Sequence, residues 1–69
     1  MVVKLIKPDG TIVSFDSKNQ SVPLKNEVIS LDGEFFNVKK RILNLESDED
    51  SKRVTLSTTY IILEPHTLN

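Results

Sequence analysis

Hydrophobic and polar positions alternate over short stretches of this chain, and turn residues separate the stretches. Residues 2–7 alternate loosely and run into Pro8-Asp9-Gly10, where Pro presets φ and Gly accepts a positive φ. Residues 11–16 resume the alternation. We therefore expect a first hairpin with Val3 opposite Phe15 and Leu5 opposite Val13 on one face. Residues 17–25 are polar and include Pro23, which has no N–H for a strand ladder, so they are expected to form a connecting loop. Residues 27–31 make a short strand closed by Asp32-Gly33, the pair that type I′ hairpin turns favour, which puts Ser30 opposite Phe35. Residues 34–46 then run without Gly or Pro, 47–51 form a polar loop, and 52–64 make a second long strand. Residues 65–69 show no periodicity and are expected to be a tail behind a domain of residues 1–64.

Phe36, Val38, Ile42 and Leu45 also fit a helical period. The Asp32-Gly33 turn before them and the Thr/Val/Ile-rich partner after them favour a strand. Centring the long hairpin on Glu49 pairs Phe36 with Ile62, Val38 with Tyr60, Lys40 with Thr58 and Ile42 with Leu56. Three of these pairs are apolar and would form a buried seam. The opposite face then carries Phe35, Ile61 and Leu63. At ~3.3 Å per residue each strand extends on the order of 40 Å, too long for a flat sheet, so a bend or bulge must intervene. Apolar parity shifts between Val38/Ile42 and Leu43/Leu45, and that is where a bend is expected. The fold class that follows is all-β: a small antiparallel five-stranded meander closing into an SH3-like or OB-like barrel.

Composition agrees with strands. The 69 residues contain no Ala, 18 Val, Ile or Thr, and 24 Val, Ile, Leu or Phe, which starves helices and excludes a disordered chain. Cys is absent, so neither disulfides nor thiolate metal sites can hold so short a chain together. A net charge of −1 argues against a dedicated, strongly basic nucleic-acid coat. No run approaches the ~18 apolar residues of a membrane helix, and Met1-Val2-Val3-Lys4 lacks a signal-peptide apolar region, so no membrane contact and a cytoplasmic location are expected.

The hairpin of residues 26–42 carries Val28, the Asp32-Gly33 turn, the Phe35-Phe36 pair and Val38. In this it resembles short uncharacterised all-β proteins of phages and mobile elements in Gram-positive bacteria. The resemblance covers about a quarter of the chain. It implies a small accessory or structural protein and brings no catalytic residue with it. Residues 5–15 echo the spacing of 28–38 about their Asp-Gly pairs, which we take as two similar hairpins and not a duplication.

Little catalytic chemistry is available. His66, the one imidazole, sits in the trailing Pro65-His66-Thr67 segment with nothing to orient it as a general base. No Ser lies in a Gly-x-Ser-x-Gly turn, and both glycines belong to turns, leaving none for a phosphate-cradling loop. Asp48-Glu49-Asp50 lacks the spacing of a calcium loop and reads as a solvated tip. No enzyme, cofactor or metal is expected. A protein partner, or a second copy of the chain in a homodimer, would use an outer apolar patch of Val28, Phe35, Ile61 and Leu63. The opposing explanation is that the loop bearing Val22, Pro23 and Leu24 covers that patch. As an alternative function, Phe35, Lys39, Arg41 and Arg53 would offer single-stranded nucleic acid a basic strip and one stacking platform.

Overall fold

A computed structural model of the chain describes residues 2–17 and 22–67. It contains five strands: β1 (Val2–Ile6), β2 (Ile12–Asp16), β3 (Val28–Leu31), β4 (Glu34–Asp48) and β5 (Arg53–Pro65). Local turn chemistry accounts for the two short hairpins. After β1 the Gly10 N–H donates to the Lys7 carbonyl at 2.9 Å, and Gly10 takes φ of 90°, a three-residue loop with glycine in the left-handed region. The Asp9 carboxylate accepts the Thr11 N–H at 2.8 Å and braces the same loop. This sets Val3 opposite Phe15 and Leu5 opposite Val13, as expected. Between β3 and β4, Asp32 (φ 52°) and Gly33 (φ 83°) both take the positive φ that a type I′ turn requires, and Ser30 pairs with Phe35.

The strands join one mixed sheet in the order β2-β1-β5-β4-β3. It is a half-barrel, neither closed nor purely antiparallel, which corrects the expected antiparallel barrel. The reason lies in strand count. Five strands of alternating direction leave the first and last pointing the same way, so the closing pair, β1 with β5, is parallel: Val3 lies beside Thr59 and Leu5 beside Ile61. The sheet stays open between β2 and β3, its two edges. Among the described residues between these two edge strands, Val22 packs against the core.

That core is Val3, Leu5, Phe36, Val38, Ile61 and Leu63, supported by Val13, Phe15, Val22, Ile29 and Leu31. Among the described residues no buried side-chain nitrogen or oxygen lacks a hydrogen-bond partner.

The long hairpin departs from its expected register. Phe36 pairs with Pro65, Val38 with Leu63 and Leu45 with Leu56, about a centre between Asp50 and Ser51, and between the bulges Ile42 pairs with Tyr60, about Ser51; none of these centres is Glu49. The tip holds four residues beyond the last pair, Asp48 with Arg53, and Lys52 adopts φ of 58° to close it. Two bulges interrupt the ladder, one between Val38 and Lys40 and one between Asn44 and Leu45, on either side of the expected bend. At the first, Lys39 is the extra residue on β4. Val38 faces the core, Lys40 and Ile42 fall on the convex side, and Arg41, Leu43 and Leu45 return to the concave side. At the second, Ser57 is the extra residue on β5. Its hydroxyl accepts from Asn44 Nδ2 at 2.9 Å and donates to the Asn44 carbonyl at 3.2 Å, so it turns to the side of Asn44. Leu56 and Val54 thereby share the concave side with Leu43 and Leu45. The expected seam of Phe36–Ile62, Val38–Tyr60 and Ile42–Leu56 does not form, because β1 selects Ile61 as the inward residue of β5.

Candidate functional site

The longest dimension of the molecule is 52 Å, against 22 and 20 Å across, and the β4–β5 hairpin sets it. β3 pairs with β4 only as far as Asn37, with Val38 bridged to residues 26 and 27, and β1 pairs with β5 only from Thr58 to Ile62. Beyond these points the two strands continue as an arm. Among the described residues, no strand lies against residues 40–48 on the edge away from β5. The bulge at Ser57 is on β5, so this free edge of β4 runs without interruption.

One side of the arm is apolar. Leu43, Leu45, Val54 and Leu56 are 47, 55, 62 and 36% exposed, and they continue the side that becomes the core further along the sheet. A two-stranded ribbon is marginally stable by itself in water. Four clustered aliphatic side chains on one side of such a ribbon form a surface that gains by being covered. The sequence carries this signal as the parity shift toward Leu43 and Leu45, which also marks the bend.

Charge is segregated along the same strand. At its base, Lys39, Lys40 and Arg41 join Lys25, Leu24 and Leu43 in lining a groove of about 480 Å³ beside the free edge. At its far end lie Glu46, Asp48, Glu49 and Asp50. The Asp48 carboxylate accepts the Asp50 N–H at 3.0 Å; this bond first, and bonds from Ser51 next, hold its pKa below the usual carboxylate range. Asp48 therefore keeps its negative charge well into acid.

The residues expected to form an outer patch are split. Val28 and Phe35 are exposed, on the convex side, but Ile61 and Leu63 are buried at 0 and 3% exposure. These two belong to the core with Val3, Leu5, Phe36 and Val38, against which Val22 also packs. Phe35 instead lines an open cleft of about 490 Å³ at the opposite end of β4, with Lys7, Pro8, Asp9, Glu34, Phe36, Pro65 and His66. The residues expected to contact nucleic acid are not gathered either. Lys39 and Arg41 share the basic groove, Phe35 lies in the other cleft, and Arg53 pairs with Asp48 near the arm's tip.

His66 is oriented, contrary to expectation. Its N–H donates to the Phe35 carbonyl at 3.1 Å and its Nδ1 lies 2.8 Å from Asn37 Oδ1, extending β5 past Pro65. Residues 68 and 69 of the expected tail lie outside the described residues. Among the described residues no group of three or more acidic or histidine side chains could hold a metal ion, and no helix is long and apolar enough to cross a membrane. Comparison with protein-family models, curated proteins and solved structures returns no match.

Proposed function

We propose that this chain is a non-enzymatic protein-interaction module and that the β4–β5 arm is its docking element. The single observation that carries the reading is the exposure of Leu43, Leu45, Val54 and Leu56 together on one side of a ribbon with a free edge. Covering a side chain of this size completely is worth roughly 1.5–3 kcal/mol, so finishing the burial of four supports a specific contact after association costs. Backbone pairing along the edge adds directional bonds, as in strand-addition complexes. The resemblance of the 26–42 hairpin to small phage and mobile-element proteins fits an accessory role in the cytoplasm, and flanking structural or replication genes would support it.

The test is site-specific photo-crosslinking in cells that carry the gene. A photoreactive residue replacing Leu45 or Val54 is expected to give covalent protein adducts. The same residue at Ser14, exposed on β2, should give none. Equal labelling at all three positions, or none at the two arm positions, overturns the reading.

A second reading has one observation in its favour, the four cations Lys25, Lys39, Lys40 and Arg41 around one groove. They could track a nucleic-acid backbone, but the groove's apolar lining is Leu24 and Leu43, with no aromatic ring for a base to stack on. Salt separates the two: phosphate binding weakens steeply as salt rises, whereas apolar docking does not.

A further inference from the structure

We propose that the partner of the β4 edge is the same edge of a second copy of this chain, paired antiparallel about a two-fold axis at Asn44. The inference rests on the arm being the docking element and adds what occupies it.

The charge order along residues 39–49 makes the strand complementary to its own reverse. It reads Lys39-Lys40-Arg41, then Ile42-Leu43-Asn44-Leu45, then Glu46-Ser47-Asp48-Glu49. Antiparallel pairing centred on Asn44 puts Lys40 opposite Asp48 of the second copy and Lys39 beside its Glu49. Leu43 lies opposite Leu45 of the second copy, and Arg41 opposite its Ser47. Each pairing occurs twice by symmetry. Directly opposite residues share a side of a sheet, so both Leu43–Leu45 pairs fall on the concave side. They would join the Leu56 and Val54 residues of both arms in one apolar strip.

Other registers lose one property or the other. Moving the centre by one residue toward either end places Leu43 opposite itself or Leu45 opposite itself and separates the remaining leucines. A parallel arrangement sets Lys39, Lys40 and Arg41 against their own copies, with like charges side by side. The basic groove supplies a second fit. It runs beside residues 39–43 of the free edge, where the antiparallel strand would deliver the acidic tip of the second copy. Lys25 and Leu24 stand on the far side of that groove and would flank the incoming strand.

The experiment is light scattering coupled to size exclusion at about 0.1 mM chain, a concentration suited to micromolar association. The full chain is compared with two variants that invert the two members of one cross-pair, Lys39→Glu and Glu49→Lys, leaving the Lys40–Asp48 pair unchanged in every combination. Both positions are exposed, and Asp48 is left to cap the tip, so circular dichroism, and urea midpoints at a chain concentration low enough to keep the parent monomeric, should match the parent. We expect a two-chain mass for the parent. Each variant alone should show a one-chain mass, its dissociation constant raised about a hundredfold by like charges at both ends of the pairing. Mixed in equal amounts, the two variants should recover the two-chain mass, because inverted charges then meet their opposites at both ends. The parent has no cysteine, so Asn44→Cys provides a check on register. Opposed Cα atoms at the axis would lie about 4.5–5.5 Å apart, within disulfide reach, and this variant should crosslink to itself under mild oxidation while Ser47→Cys does not.

A one-chain mass for the parent overturns the pairing. So do variants that remain dimeric alone, a mixture that stays monomeric, or equal crosslinking by Cys at 44 and 47. If the parent is monomeric yet Leu45 photo-crosslinks to a protein of another mass, self-pairing fails and the docking arm stands. If neither arm position crosslinks above the Ser14 control, the docking arm itself fails.

Discussion

Replacing Ile61 by alanine tests the register of the long hairpin and, with it, the placement of the whole arm. Ile61 is fully buried on the central strand β5, beside Leu5 of β1 and opposite Arg41 of β4. The substitution removes three carbons, worth about 2.4 kcal/mol at ~0.8 kcal/mol each. A residual cavity of roughly 40 Å³ at ~24 cal/mol per Å³ adds about 1 kcal/mol. The sum is close to 3.5 kcal/mol, in a domain whose size suggests a total of about 3–10 kcal/mol. Ile42 is the informative comparison, since pairing about Glu49 would bury it, whereas it lies opposite Tyr60 and is 42% exposed. With about three-fifths of its surface covered and no enclosed cavity left behind, Ile42→Ala should cost about 1.4 kcal/mol.

Urea unfolding followed by circular dichroism reads both, at the lowest workable chain concentration, where association contributes least. With m of about 1 kcal/mol/M for so small a domain, the midpoint should fall by about 3.5 M for Ile61→Ala and about 1.4 M for Ile42→Ala. Ile61→Ala is expected to be largely unfolded if the parent midpoint is low. The milder pair Ile61→Val and Ile42→Val, at about 0.5–1.5 kcal/mol for the buried site, then preserves the comparison. An Ile42 substitution that costs as much as its Ile61 counterpart refutes the register.

Asp9→Asn probes the brace of the first hairpin through pH. The hydrogen bond from the Thr11 N–H is the largest cause holding the Asp9 pKa below the usual carboxylate range. A group depressed in the folded state contributes stability above its unfolded pKa of about 3.9 and loses it as pH falls through the lower folded value. The parent's urea midpoint should therefore fall more between pH 5 and strong acid than that of Asp9→Asn, and equal falls would remove the brace from the account. Deleting one lysine of Lys39-Lys40 removes the extra residue of the first bulge and leaves Val38, the remaining lysine and Arg41 on their present sides. The variant should unfold cooperatively with a parent-like circular dichroism spectrum; loss of the cooperative transition would show that the bend is indispensable.

What was legible in the sequence follows the range of the forces involved. Pro8-Asp9-Gly10 and Asp32-Gly33 decide their hairpins within a few residues, and both short registers came out as the turn chemistry requires. The long hairpin lacks such a turn. Its tip is a polar run with no glycine, closed by Lys52 at positive φ, and its two bulges each break the alternation that register counting relies on. Ile61 and Leu63 could not be assigned to a side from β4 alone, because β1, more than fifty residues earlier, selects the inward parity of β5. The parallel closure was available from counting alternating strands, but no local signal states that β1 and β5 meet. Phe35 was expected on the same patch as Ile61 and Leu63 because pairing about Glu49 put all three on one side, and the observed pairs place Phe35 on the other.

The arm also poses a question of economy in so small a chain. The six-residue core draws only on the part of the hairpin nearest β1 and β3, so the outer residues of β4 and β5 add little to it. Ordering a backbone costs about 1–2 kcal/mol per residue, and ladder hydrogen bonds exchanged against water offset that only in part. Aliphatic residues at positions 43, 45, 54 and 56 therefore gain little in the isolated chain, where polar ones would keep the ribbon hydrated. Their benefit lies in contact with something else. The acidic tip and basic base then act as a filter on that contact. A free edge with an apolar side invites pairing with any exposed strand, and charges along it are how natural sheets prevent this. Here the charges are sorted by sign along the strand, not interspersed. Such an edge repels a uniformly acidic or uniformly basic strand at one end and accepts one sorted in the reverse order, and β4 of an identical chain running antiparallel is sorted that way.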